Sequence, residues 1–75
     1  MMKTQDISVV IPTLNEAGNL VDLVARLHKT FSDHDLGYEL IFIDDHSTDQ
    51  TIEVLRRLAQ SYPIRVAMKV GAKGK

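Results

Sequence analysis

YELIFIDDHSTDQT, Tyr38 to Thr51, decides the fold. Its first six residues are mostly apolar and too few for a stable helix, so they read as a buried strand. The strand stops at Asp44 and Asp45. Two adjacent carboxylates repel each other and resist burial, which marks a strand exit. Ser47-Thr48-Asp49-Gln50 then fits a capping box, with Ser47 at the N-cap and Gln50 three residues on; Thr48 is an alternative cap. Ile52, Leu55, Leu58, Ala59 and Tyr62 form the inner face of the helix expected next, and Pro63 ends it. A strand that passes through a polar loop into a helix is the repeating unit of an α/β protein.

The flanks extend that unit. Upstream, Ile7-Ser8-Val9-Val10-Ile11 is a short β-branched run that Pro12 closes, and it reads as a strand buried on both faces. Asn15 is placed to cap a helix, with Glu16 near the positive end of its dipole. Leu20, Leu23, Val24, Leu27 and Phe31 lie on one helical face, while Asp22, Arg26 and Lys29 lie off it. The helix is expected to end within residues 32–37, a polar stretch closed by Gly37. Downstream, Ile64, Val66, Met68 and Val70 alternate with Arg65, Ala67 and Lys69, the pattern of a less buried edge strand. Gly71 to Lys75 reads as a flexible basic tail. The order is β-α-β-α-β. Strands joined through helices run parallel, and about 98% of such crossovers are right-handed. The expected sheet is Rossmann-like with strand order 3-2-1, within a single domain over residues 1–75.

Composition narrows the function. The chain has 75 residues, 44% hydrophobic and 25% charged, with a net charge of −1, so the clustered basic excess of a nucleic-acid surface is not there. Cysteine is absent, which removes disulfides and thiolate chemistry. No apolar run approaches the roughly 20 residues of a membrane span, and MMKTQD carries no signal-peptide core. A cytoplasmic, soluble chain is the expectation.

In open α/β sheets, ligands bind beyond the carboxyl ends of the strands. Pro12 to Glu16, Asp44 to Ser47 and Gly71 to Lys75 all gather at that edge. The paired aspartates therefore sit at a ligand rim; the plainer alternative is a polar strand exit with a helix cap. Because side chains alternate at a strand end, one carboxylate is expected toward the crevice and the other toward the loop. His28 and His34 read as surface residues; His46, in the loop, is placed to touch a ligand. The sequence holds no G-x-G-x-x-G, no G-x-x-x-x-G-K-[ST] and no G-x-S-x-G. Recognition then rests on side chains: aspartate accepts from base N–H or ribose hydroxyls, and a glycine-lysine segment meets phosphate.

ISVVIPTLNEAGNL, LIFIDDHSTDQT some thirty residues later, and KVGAKGK together resemble the N-terminal nucleotide-binding half of family-2 glycosyltransferases, most closely the polyprenol-phosphate (dolichol-phosphate) mannosyltransferase-like group. The resemblance runs from Ile7 to Lys75. It implies a partial GT-A domain of an inverting enzyme that moves a sugar from a nucleotide diphosphate, GDP- or UDP-linked, to an acceptor such as a lipid phosphate. It also brings in the cytoplasmic face of a membrane as the setting of a full-length protein. By resemblance, Pro12, Thr13, Leu14 and Glu16 line the nucleoside pocket. Asp45, or else Asp44, binds the base while its neighbour supports the loop, and Lys73 and Gly74 lie near the diphosphate. The departures are Leu14, where the family often has a stacking aromatic residue, and His46, where glycine or asparagine is common. The family's D-x-D motif, which holds Mg²⁺ or Mn²⁺, is expected after a fourth strand; Asp33-His34-Asp35 has the letters but lies on the wrong side of the second strand. The 75 residues are thus expected to be a fragment inactive alone, with Ile7 to Ile11 an uncovered edge prone to self-association. Two other classes compete: a receiver-like Mg²⁺-dependent phosphoacceptor domain and a non-catalytic nucleotide-binding module. The first places its paired carboxylates after strand one, and here they follow strand two.

Overall fold

The computed structural model describes residues 6–70. The elements are β1 (Ile7–Thr13), α1 (Leu20–Asp33), β2 (Tyr38–Asp44), α2 (Thr51–Leu58) and β3 (Ile64–Met68). The three strands form one parallel sheet in the order β1-β2-β3. The expected strand order and the edge position of β3 are both found. The register sets Thr13 beside Asp44 and Asp44 beside Met68, so the three strands end level at one edge.

Strand periodicity explains where the core lies. Leu40 and Phe42 project from the same face of β2 and are fully buried, as are Leu20 and Val24 of α1 and Leu55 of α2. Val9 and Ile11 of β1 and Ile64 and Val66 of β3 flank them. Successive right-handed crossovers that advance in one direction put both helices on one face of the sheet. Burying each large apolar side chain contributes on the order of 2 kcal/mol.

That one-sided layering corrects the reading of β1 as buried on both faces. Its burial alternates, and Val10 is 62% exposed on the face without helices. A β-branched run cannot reveal whether a second layer covers its far side. The inner face of α2 is also revised: Val54 and the wholly buried Thr51 belong to it, whereas Ala59 is exposed.

Both predicted helix starts move. α1 begins at Leu20 after a turn over residues 17–19, and Asn15 does not cap it. α2 begins at Thr51 rather than after Ser47, because the Ser47 side chain is already engaged elsewhere. α1 ends in a Schellman motif: the Leu36 N–H donates to the Phe31 carbonyl (2.9 Å) and the Asp35 N–H to that of Ser32 (3.0 Å). Asp35, at φ 56°, takes the left-handed position of the motif, within the stretch where the helix was expected to end. Asp33-His34-Asp35 lies at the amino end of β2, across the sheet from the strand exits.

Candidate functional site

Asp44 ends β2 on the helix-covered face and is fully buried. Its Oδ1 accepts from Thr13 Oγ1 (2.8 Å) and Ser47 Oγ (2.6 Å), and its Oδ2 accepts from the Ser47 N–H (2.7 Å). Burial alone pushes its pKa up; the hydrogen bonds from Ser47 and Thr13 outweigh that and hold it below the usual carboxylate value. The Asp44 main chain is equally engaged, with its carbonyl accepting from the Lys69 N–H (2.7 Å). Asp44 is therefore an internal tie between the ends of β1 and β2 and the loop that follows.

The two loops are laced together in both directions. Three successive N–H groups after β1 donate to side chains after β2: Asn15 to Ser47 Oγ (2.8 Å), Glu16 to Thr51 Oγ1 (2.9 Å) and Ala17 to Asp49 Oδ2 (3.3 Å). In return, Asn15 Oδ1 accepts from the N–H groups of Thr48 (2.8 Å) and Asp49 (3.2 Å). Asp49 Oδ1 accepts from the Thr51 N–H (2.9 Å) and also from the Thr51 hydroxyl. That Thr51 hydrogen bond leads the causes that lower the Asp49 pKa, with the Thr51 and Ala17 N–H groups adding to it against partial desolvation. Asn15, at φ 52°, occupies a left-handed conformation that asparagine tolerates better than most residues.

Asp45 follows Asp44 at the strand exit and is half-buried; its N–H donates to the Thr13 carbonyl (2.9 Å). Leu14, 42% exposed, is the first residue after β1, next to the Thr13 that accepts this hydrogen bond. His46 has φ 56°, a conformation that favours glycine or asparagine, which gives a physical reason for those residues at this place. Its Nε2 meets the Lys69 carbonyl at 3.1 Å and ties the second loop to the exit of β3. Pro12 is exposed, Thr13 is buried against Asp44, and the half-buried Glu16 accepts from Asn19 Nδ2 (3.1 Å). Thus Pro12, Thr13, Leu14, Glu16, Asp44 and Asp45 share one sheet edge. Lys73 and Gly74 lie outside the described residues. His28 is elsewhere, packed on Tyr38 and Tyr62.

Among the described residues, no three His, Asp or Glu side chains come together as a metal ligand set. The Asp44 oxygens are already taken by Thr13 and Ser47. The divalent cation implied by the resemblance does not fit residues 6–70. The sequence reading missed Asp49 and Thr51 as loop fasteners. Their signal was the density of short hydroxyl and carboxylate side chains, which satisfy nearby N–H groups as readily as they cap helices.

The family model described as glycosyl transferase family 2 matches residues 8–75. The chain is 38% identical over 68 residues to a dolichol-phosphate mannosyltransferase of Pyrococcus furiosus, covering 91% of the chain and 19% of that protein. It is 39% identical over 62 residues to an undecaprenyl-phosphate 4-deoxy-4-formamido-L-arabinose transferase of Edwardsiella ictaluri, covering 83% and 19%. A putative glycosyltransferase of Bacillus subtilis, CsbB, is 38% identical over 58 residues, covering 77% and 18%. The chain spans about a fifth of the length of these curated relatives.

Proposed function

The chain belongs to glycosyl transferase family 2, and on that premise we propose that it supplies the nucleotide-binding half of an inverting enzyme that moves a sugar from a nucleotide diphosphate to an acceptor. The observation that carries the reading is that the β1 and β2 exits end level at the carboxyl edge of the sheet, with the Asp45 N–H on the Thr13 carbonyl and Leu14 following Thr13, within the matched segment. In it, Asp45 accepts from the donor's base and Leu14 gives the base an apolar contact. Asp44 holds both in place from below, and Pro12, Thr13 and Glu16 complete the nucleoside side. Lys73 and Gly74 are assigned to the diphosphate. The acceptor is a polyprenyl phosphate, supported by the names of two relatives. These 75 residues do not transfer sugar by themselves; support comes from the relatives, in which the matched segment is about a fifth of the chain. In a longer protein this half would work at the cytoplasmic face of a membrane. Among the described residues, no helix is long and apolar enough to cross one.

The receiver-like alternative needs a carboxylate open to Mg²⁺ and phosphate, whereas Asp44 is buried and accepts three internal hydrogen bonds. Calorimetric titration of the chain with UDP and GDP tests the proposal. Asp45→Ala should weaken binding of the preferred nucleotide about tenfold, or roughly 1.4 kcal/mol. Glu39→Gln, at the other end of β2, should leave it unchanged. Equal affinity in the Asp45→Ala chain would sink the assignment of the base to Asp45.

A further inference from the structure

The turn from β1 into α1 is where α/β folds commonly seat phosphate, on backbone N–H groups at a helix start. In this chain the three N–H groups that lead from β1 toward α1, ahead of the helix start at Leu20, are spent internally. The N–H groups of Asn15, Glu16 and Ala17 go to Ser47, Thr51 and Asp49. The facing N–H groups of Thr48 and Asp49 go to Asn15 Oδ1. Nor does the one glycine of the turn mark a close approach: a Cβ added at Gly18 would meet nothing within 4 Å. The anion already present is the Asp49 carboxylate. Its Oδ2 receives the Ala17 N–H, and its Oδ1 receives the N–H and hydroxyl of Thr51, whose oxygen in turn receives the Glu16 N–H.

We propose that Asp49, exposed at the rim of the turn, is a positioning residue, the chain's own anion, which fills the phosphate seat of the β1–α1 turn and closes it to the donor's diphosphate. The inference rests on the nucleotide-sugar reading of this edge. With the turn closed by charge and by occupied donors, the nucleoside lies against Leu14 and Asp45. The diphosphate is directed away from the turn, toward the exit of β3. The order of the donor along the sheet edge is then fixed by a residue that touches none of it. An ordinary structural tie would hold the loop but leave phosphate binding indifferent to its charge.

Amide spectra of the ¹⁵N-labelled chain, with Asp49→Ala and Asp49→Asn variants, separate the two. Inorganic phosphate is the first probe, at constant ionic strength. In the parent chain it should leave the Asn15, Glu16 and Ala17 amides unmoved. In Asp49→Ala, Glu16 and Ala17 should gain saturable shifts. Asp49→Asn keeps an oxygen for the Thr51 N–H but loses the charge; it should show the same gain, smaller, and it decides the matter if the alanine variant does not fold. Phosphate shifts at Glu16 and Ala17 in the parent chain, or none in an Asp49→Asn chain whose spectrum is otherwise unchanged, would overturn the proposal. UDP and GDP titrations of the parent chain read the underlying assignment separately. A phosphate gain without any nucleotide response would leave Asp49 as the internal anion and remove the nucleotide reading.

Discussion

Asp44 shows how one buried carboxylate ties two loops together. Its three hydrogen bonds join the exit of β1 to the loop after β2. Asp44→Ala would leave the Thr13 and Ser47 groups without their acceptor and should lower stability by about 3 kcal/mol, read by urea unfolding. Asp44 and Asp49 both have lowered pKa values in the folded chain. Their contribution is therefore complete above the unfolded-state carboxylate value, near about 4, and is lost as pH falls through the lower folded values. Acid unfolding followed by circular dichroism should show stability declining below about pH 5. In an Asp44→Asn, Asp49→Asn chain that decline should be shallower. Asn15 separates conformation from hydrogen bonding. Asn15→Gly keeps the left-handed backbone but loses Oδ1, whereas Asn15→Ala loses both. The alanine variant should be less stable than the glycine variant by roughly 1 kcal/mol in thermal or urea unfolding.

The elements were largely legible in the sequence, because periodicity reports packing. The stripe Leu20, Val24, Leu27, Phe31 and the strand YELIFI match α1 and β2 within a residue or two. Helix starts were less legible. Ser47 has the right chemistry to cap α2, but it faces a buried carboxylate that takes its hydroxyl first, and nothing local in the sequence reveals that competition. Asn15 was likewise read as a cap, while its side chain reaches across to the second loop. Topology alone brought Pro12 to Glu16 and Asp44 to Ser47 to one sheet edge; the partners that hold these loops lie 31 to 35 residues away and belong to the fold rather than to any motif. Phe42 tests the packing account. It is fully buried between β1, β3 and both helices' side of the sheet, and Phe42→Ala should cost about 4 kcal/mol. For a domain of this size that is a large part of the total, so the variant should be substantially unfolded at room temperature by circular dichroism.

At the scale of the molecule, the described residues form two layers, with helices on one face of the sheet. The other face carries polar links between strands, Ser8 to Glu39 (3.5 Å) and Arg65 to Glu39 (2.8 Å), beside the exposed Val10. β1 and β3 are both edge strands. We expect the 75-residue chain to self-associate through β1 at high concentration, with Val10→Lys shifting light scattering toward monomer while altering stability by less than about 0.5 kcal/mol. A monodisperse parent chain at high concentration would contradict that expectation. On the proposed reading, the edge shared by the β1 and β2 exits receives the nucleoside of a sugar donor. Amide chemical shifts of the labelled chain during titration with UDP and GDP test it most directly. One nucleotide should move the amides of Leu14 and of Asp45 to Ser47 while His28 and the rest of α1 stay still; shifts confined to residues away from this edge, from a folded sample, would rule the nucleoside out of it.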